Sequence, residues 1–323
     1  MRFVLISFAA FVGCFVTLSL LLRRAGSLPQ DHPNERSLHI HITPRIGGIG
    51  IVAGLALASL LQGSAELTVV LLSGFSLALV SLLDDYFDLP PWFRLAMHLL
   101  VIALFLAVSF DFFDAWLLML VMLFALTWMT NLFNFMDGAD GLAGGMALFG
   151  FAVYACLAWL GGSMPIAMLS AAVSASALAF LFFNFPPARL FMGDAGSVPL
   201  GFLSGAVGLL GWRDGLWHWL VPLLVFSPFI VDASVTLVRR GLAREKVWRA
   251  HRNHYYQRLV RMGWSHRRLA MVAYWVMAAA AISGVISAIY VETIWGLMFV
   301  WCIFYVWGML VVDRRWRKLG EQS

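Results

Sequence analysis

Five aspartates stand at the ends of long apolar segments of this chain: Asp84, Asp85, Asp137, Asp140 and Asp194. Hydropathy places all five at one face of the membrane that these segments would cross. Carboxylates at a bilayer edge repel one another unless a cation or a proton relieves the repulsion. Three acidic loops that converge on one face therefore suggest a divalent metal ion and an anionic substrate.

The first acidic motif is the pair Asp84-Asp85, which ends one apolar segment shortly before Arg94 opens the next. Adjacent residues of a helix point about 100° apart, so one carboxylate can face the bundle while its neighbour faces the loop. The pair can then have two roles. Paired aspartates at a helix end are more often solvated caps, but the other acidic loops on this face favour function.

The second motif places Asn131, Asn134, Asp137 and Asp140 at a spacing of three, followed by Gly141. While the chain is helical, this spacing puts the polar groups on one stripe, and glycine then lets the backbone turn close to a ligand. Capping of two helix ends is the alternative. It explains Asp140 and Gly141 but not four polar groups in register.

The third motif, residues 184–197, is a proline-containing loop that ends in Gly-Asp-x-Gly-Ser at a predicted helix start. Backbone N–H groups at a helix start favour anions, and Asp194 is equally suited to be an N-cap. The motif taken alone leaves both interpretations open.

The fourth motif contains His251, Arg252 and His254 in a basic loop. Two histidines among arginines suit a diphosphate better than Zn²⁺, because the loop has no cysteine and only Glu245 as a nearby carboxylate. Zinc is the minor alternative, and a solvated surface histidine is the ordinary one.

Three further titratable residues lie within predicted apolar segments or at their ends. His98 and His218 are expected to be structural. Asp232, inside an apolar segment, is a weaker functional candidate.

Composition defines the class of protein. With 62% apolar and 12% charged residues and a mean hydropathy of +0.85, the 323 residues lack the polar surface that a soluble domain of this size needs. The sequence predicts an all-α, polytopic membrane protein with a single domain, 1–323. About 20 helical residues cross a bilayer core. The sequence predicts ten or eleven spans, and the eleven candidate segments are 3–22, 45–63, 67–83, 93–110, 115–133, 143–161, 163–183, 197–211, 216–238, 269–290 and 293–312.

Lys and Arg predict the orientation. If the loop 23–44 is cytoplasmic, then so are 84–92, 134–142, 184–196 and 239–268, and only Arg2 and Arg213 face outward. The N-terminus is then outside and the C-terminus cytoplasmic. The sequence pI of about 9.4 reflects these loops and a basic tail suited to anionic lipid, and we find no signal for nucleic acid.

Together these motifs resemble the signature loops of the polyprenyl-phosphate N-acetylhexosamine-1-phosphate transferases. The superfamily includes the peptidoglycan translocases and the enzymes that start O-antigen chains. The resemblance runs from residue 23 to about 259 in the same order, through the sequences HPNERSLHIHITPRIGG, SLLDDYFDLPP, NLFNFMDGADGL, FNFPPARLFMGDAGS and HRNHYYQRL.

The resemblance implies a reaction, a cofactor and substrates. Such enzymes move a sugar 1-phosphate from a UDP-sugar to undecaprenyl phosphate, require Mg²⁺ (or Mn²⁺), and release UMP at the cytoplasmic face of the bacterial inner membrane. Membrane lipid is a further expected partner, and a homodimer is compatible with the resemblance.

The resemblance also implies roles for individual residues. Asp194 matches the metal ligand, and the catalytic set comprises Asp84, Asp85, His251 and His254. The substrate-binding residues would be Asn131, Asn134, Asp137, Asp140, Asn184, Phe191, Gly193, Arg252, Arg45 and Arg94.

Two features resemble the O-antigen or capsule branch. The histidine motif reads HRNH, and Arg45 precedes the glycine pair where translocases have an apolar residue. This branch implies N-acetylquinovosamine, N-acetylfucosamine or N-acetylglucosamine as the sugar. The rival class is a cation-coupled membrane transporter, but carriers usually hold their charges near the bilayer midplane, often in two related halves.

The orientation is testable by cysteine labelling. In a variant without its native cysteines, Asn253→Cys should resist an impermeant thiol reagent in intact cells and react after permeabilisation, because the Lys and Arg distribution places it inside. Asp214→Cys is the matched control and should react from outside. Labelling of residue 253 from outside would contradict the orientation.

Overall fold

The computed structural model describes residues 1–24, 26, 28–31, 42–87, 89–111, 115–246 and 251–320. Parts of the predicted loops 23–44 and 239–268 lie outside the described residues, as does Asp88 of the Asp84-Asp85 motif.

The described residues form thirteen α-helices, two short 3-10 helices (Ala65–Leu67 and Val291–Thr293) and one short antiparallel ribbon, which confirms the all-α, multi-pass membrane architecture. The ribbon pairs β1 (Gln30–Asp31) with β2 (Thr43–Pro44). The helices are α1 (Arg2–Leu22), α2 (Gly47–Gln62), α3 (Thr68–Phe87), α4 (Pro91–Ser109), α5 (Trp116–Met136), α6 (Leu142–Leu160), α7 (Met164–Asn184), α8 (Asp194–Arg213), α9 (Leu220–Val225), α10 (Ser227–Leu242), α11 (Tyr255–Arg261), α12 (His266–Ile289) and α13 (Ile294–Gly320).

In the part of the chain that is described, nine helices are long and apolar enough to cross a membrane. The other two predicted spans differ. Helix α2 has only 16 residues, and the predicted span 216–238 is wrong as a single helix because it breaks at Phe226 between α9 and α10. Pro228 has no N–H to continue the helical bonding, and Ser227 Oγ instead donates to the Leu224 carbonyl at 2.7 Å.

Helices α6, α7 and α8 form the centre of the bundle. Within their apolar windows 72%, 78% and 83% of residues are buried, against 22% in α1 and 11% in α13. Helix α6 packs on α7, α1 packs on α2 and α7, and α3 and α5 flank α8. The outer helices expose large apolar side chains such as Phe299 and Trp307, as expected of a surface that faces lipid.

The starts of α2 and α8 meet in close backbone contact. The Gly48 N–H donates to the Met192 carbonyl at 2.8 Å, and a Cβ on Gly48 would lie 2.2 Å from the Gly196 nitrogen. Only glycine fits this approach. Arg45 forms a bridge with Phe191, so the segment before α2 is joined to the loop that carries Asp194.

Candidate active site

The N-terminus of α8 is the point where the acidic loops meet. Gly193 precedes it with φ 73°, a left-handed conformation that favours glycine. The backbone N–H of Gly193 lies beside the Asp137 carboxylate, and that of Ala195 lies beside the Asp85 carboxylate. The first N–H groups of a helix have no partner within the helix, so they suit these two anions. The structure thus brings Asp85, Asp137 and Asp194 together.

Carboxylate charge exceeds its compensation at this point. Asp85 Oδ2 is buried and accepts no hydrogen bond from any described residue. Burial, followed by the charge of Asp194, raises the pKa of Asp137 well above its ordinary value, while Arg45 opposes the shift. A Cβ on Gly193 would lie 3.5 Å from Asp85 Oδ2, so this glycine keeps the space beside that oxygen open.

A polar cavity of about 100 Å³ lies between α3, α4, α5 and α8. Arg94 Nη1 lies 2.5 Å from Asp84 Oδ2 and 3.5 Å from Asp194 Oδ2, so one guanidinium joins two acidic loops. Asp84 Oδ1 accepts from the Leu89 N–H at 2.9 Å. The other lining residues are Val80, Ser81, Pro91, Leu95, His98, Asn131, Asn134, Phe135 and Val198.

The two asparagines of the cavity hold their amide groups in different ways. Asn134 Nδ2 donates to Ser197 Oγ at 3.1 Å and so ties α5 to the first turn of α8. Asn131 Nδ2 donates to the Thr127 carbonyl of its own helix at 2.7 Å. Both side chains line the cavity, as the stripe of polar residues predicts.

Asp140 and Asn184 hold loops together and do not line this cavity. Asp140 Oδ2 accepts from the Ala188 N–H at 3.1 Å, and its Oδ1 lies 3.0 Å from His266 Nδ1. Asn184 is buried. Its Oδ1 accepts from the Gly141 N–H at 2.8 Å, and its Nδ2 donates to the Leu190 carbonyl at 2.9 Å. Their predicted contact with the nucleotide stays a prediction.

The histidine motif is supported by Asp232. Its two carboxylate oxygens accept from the N–H groups of Tyr255 at 2.9 Å and Tyr256 at 3.0 Å, at the start of α11. His254 Nδ1 lies 3.3 Å from Asp232 Oδ1. Asp232, the weaker candidate from the sequence, therefore positions His254, a predicted catalytic residue.

The imidazole rings connect to the polar cavity through one aromatic side chain. The rings of His251 and His254 stack with centroids 4.8 Å apart, and that of His254 stacks on Phe135 at 6.2 Å. Phe135 also lines the polar cavity. Arg252 lies in the same segment, and its carbonyl accepts from Arg261 at 3.4 Å.

Sequence reasoning missed Asp313, which anchors α11 from the far end of the chain. Its carboxylate binds Arg239 at 2.6 Å and Arg258 at 2.9 Å, and the side chain is 6% exposed. The sequence feature that could have indicated Asp313 is its place in a long apolar helix, because an acidic residue there is expected to have a positively charged or hydrogen-bonding partner.

The chain resembles known membrane transferases in sequence. Residues 67–211 match the model described as Glycosyl transferase family 4. A probable undecaprenyl-phosphate N-acetylglucosaminyl 1-phosphate transferase of Bacillus subtilis is 32% identical, over 88% of this chain and 83% of the relative. A phospho-N-acetylmuramoyl-pentapeptide-transferase of Shouchella clausii is 30% identical, over 88% and 96%. A decaprenyl-phosphate N-acetylglucosaminephosphotransferase of Mycobacterium tuberculosis is 29% identical, over 83% and 78%.

The chain belongs to glycosyl transferase family 4. The segment that matches the family model runs from α3 to α8 and contains every residue that lines the polar cavity. The histidine segment, Asp232 and Asp313 lie beyond it.

The carboxylates of this family 4 protein suit a hard divalent cation. Among the described residues, no three His, Cys, Asp or Glu side chains form a ready metal cluster. Mg²⁺ is commonly held by one or two carboxylates, with substrate phosphates and water completing the shell. The buried Asp85 Oδ2 without a hydrogen-bond partner, near Asp194, fits that kind of site.

The histidine motif predicts an acid-sensitive stability. Burial, followed by the positive charges of His254 and Arg240, lowers the pKa of His251 from 6.5 to about 4. Below about pH 6.5, His251 binds a proton in the unfolded chain but stays neutral in the folded protein. The free energy of unfolding therefore keeps its full value, as far as His251 is concerned, above that pH and decreases as the pH falls toward about 4. The unfolding temperature of His251→Gln in detergent should fall less over this range than that of the wild type.

His218→Gln is the matched control, since His218 follows the opposite end of α8. It should lose stability in acid as the wild type does. Equal losses for the wild type and His251→Gln would show that His251 is not the group responsible.

Proposed function

We propose that this protein transfers an N-acetylated sugar 1-phosphate from a UDP-sugar to undecaprenyl phosphate and releases UMP. The observation that carries the proposal is the convergence of Asp85, Asp137 and Asp194 on one helix start, beside Arg45 and Arg94, in a family 4 chain. The names of its relatives support this reaction class, because they describe transfer of phosphosugars to polyprenyl phosphates.

The reaction exchanges one phosphoanhydride for another. An oxygen of the acceptor phosphate attacks the phosphorus that carries the sugar. The bond from that phosphorus to the bridging oxygen breaks, and UMP leaves with that oxygen. Because a similar bond forms and breaks, the reaction should be nearly balanced in free energy. Catalysis then consists largely of charge neutralisation and in-line alignment of two phosphates.

Asp84 and Asp85 have different surroundings, which supports different roles. Both oxygens of Asp84 have partners, in Leu89 and Arg94, so we assign Asp84 to holding the Arg94 guanidinium in place. Asp85 keeps a buried oxygen that has no hydrogen-bond partner in the described part of the chain. We assign this oxygen to the reacting groups, either the acceptor phosphate or the cation.

The remaining predicted residues divide between the parts of the donor. His251, Arg252 and His254 would bind the diphosphate or the sugar, since their segment is basic. The uridine would lie toward the loops that carry Asp140, Asn184, Phe191 and Gly193. Asn131, Asn134 and Asp137 would support that wall from the C-terminal end of α5.

Asp194 and Asp85 would hold Mg²⁺, or Mn²⁺ in its place. When bound, the ion would neutralise the diphosphate and stabilise the charge that develops on the leaving UMP.

An apolar cavity suits the acceptor's prenyl chain. It has a volume of about 470 Å³ and is lined by apolar residues of α5, α8, α9 and α10, with Ser204 the polar exception. Helices α5 and α8 also border the polar cavity. The helix break at Phe226 lies next to this apolar cavity. Pro222 before the break and Ile230 after it are among the residues that line the cavity.

The membrane face and the pathway follow from sequence resemblance. We propose that the site faces the cytoplasm of a bacterium, at the inner membrane, and that the product starts an O-antigen or capsule chain. The sugar would be N-acetylglucosamine or an N-acetylated 6-deoxyhexose. The family match gives no support to a cation-coupled carrier. The five aspartates of the acidic loops lie at or beside helix ends rather than at mid-helix.

Substitution of the carboxylates tests the site. Asp85→Asn and Asp194→Asn should each lower turnover by roughly a hundredfold or more, because positioned acid–base and electrostatic groups contribute on that scale. The unfolding temperature should stay close to that of the wild type. Asp214→Asn is the control outside the site. Gly193, not Asp194, is the N-cap of α8, so turnover above about a tenth of the wild-type value for Asp194→Asn would show that Asp194 only adds a negative charge to the first helical turn.

The chemistry is testable with purified protein. With Mg²⁺ and no ATP, the protein should form the lipid-linked sugar diphosphate from a UDP-sugar, and UMP should drive the reverse reaction. A chelator should stop both directions, because the diphosphate cannot approach the carboxylates without a cation. Release of UDP in place of UMP would mean attack at the sugar carbon and would overturn the proposed reaction.

A further inference from the structure

His98 lines the polar cavity. It lies in α4, one helical turn beyond Arg94, and its side chain is only 7% exposed. Among the described residues, no hydrogen bond or ion pair involves its imidazole. A structural histidine of a core normally has such a partner, because a buried polar group without one is destabilising. The imidazole is therefore suited to a group that enters the cavity.

The depth of His98 distinguishes the two substrates. Four residues along α4 place it about 6 Å farther into the helical layer than Arg94, and apolar Val80, Leu95 and Val198 line the cavity with it. The donor is soluble in water and arrives from the loop side. The acceptor is anchored in the membrane by its prenyl chain, so its phosphate is the group that reaches this depth.

The charge in the cavity points the same way. The cavity has a volume of about 100 Å³, and Arg94 lines it together with His98. Arg94 supplies the positive charge that the acceptor phosphate needs.

We propose that His98 contacts the phosphate of the polyprenyl acceptor and, with Arg94, sets the affinity for that substrate. The inference rests on the proposed function. It assigns to His98 a substrate contact in place of the structural role expected from the sequence.

Binding experiments without turnover test this contact. For purified protein in nanodiscs, His98→Leu should raise the dissociation constant of undecaprenyl phosphate by about tenfold or more, as expected for a lost hydrogen bond to a charged group. The dissociation constant of UMP should stay unchanged. In turnover assays the KM for the acceptor should rise while that for the UDP-sugar does not. His98→Gln, which keeps a donor of similar reach, should recover most of the affinity.

Leu100→Ala, on the exposed side of the same helix, is the matched control and should leave both affinities unchanged. If His98→Leu fails to fold, His98→Met supplies the apolar variant. Wild-type acceptor affinity in the apolar variant, or equal weakening of UMP binding, would overturn the inference. A wild-type protein that binds undecaprenyl phosphate through His98 but uses no UDP-sugar would overturn the proposed function and leave the contact standing.

Discussion

Repulsion among three carboxylates at the first turn of α8 is the constraint on which the site depends. Asp85, Asp137 and Asp194 lie close together, and the charge of Asp194 adds to burial in raising the pKa of Asp137. Two backbone N–H groups of the α8 start and the nearby arginines compensate part of this charge. The rest must come from a ligand or a proton. A helix start is suited to this purpose because its N–H groups are fixed in direction and otherwise have no partners.

Close backbone packing makes that arrangement possible. Arg45 reaches the carboxylates because β2 leads into α2, whose first turn lies against the loop before α8 at Gly48 and Gly196. Arg94 reaches them because α4 starts beside the end of α3 and pairs with Asp84. Each cation thus comes from an element whose start is held next to an acidic loop. The positions of the arginines depend on helix packing as much as on charge.

Local sequence predicted most of this site, and the limits have physical causes. The polar stripe of α5 and the start of α8 at Asp194 are visible because side-chain spacing along a helix and the preference for acidic residues in its first turn are local properties of the sequence. Asp313 was missed because its partners Arg239 and Arg258 are 74 and 55 residues away. The span 216–238 was mistaken for one helix because hydropathy does not register the lost hydrogen bond at Pro228.

Composition cannot distinguish residues of the same type whose partners differ. Asp84 has a partner for each of its oxygens, whereas the adjacent Asp85 keeps one buried oxygen that accepts no hydrogen bond from the described residues. The buried Asn184 uses its side-chain amide to bond two loops. The buried His98, in contrast, faces a cavity, and its imidazole forms no hydrogen bond with the described part of the chain. A polar group that already has a hydrogen-bond partner gains little free energy by contacting a ligand, whereas a group without one gains more. The hydrogen-bond partners of a side chain, and not its residue type, therefore distinguish the residues that hold this site together from those that can contact a substrate.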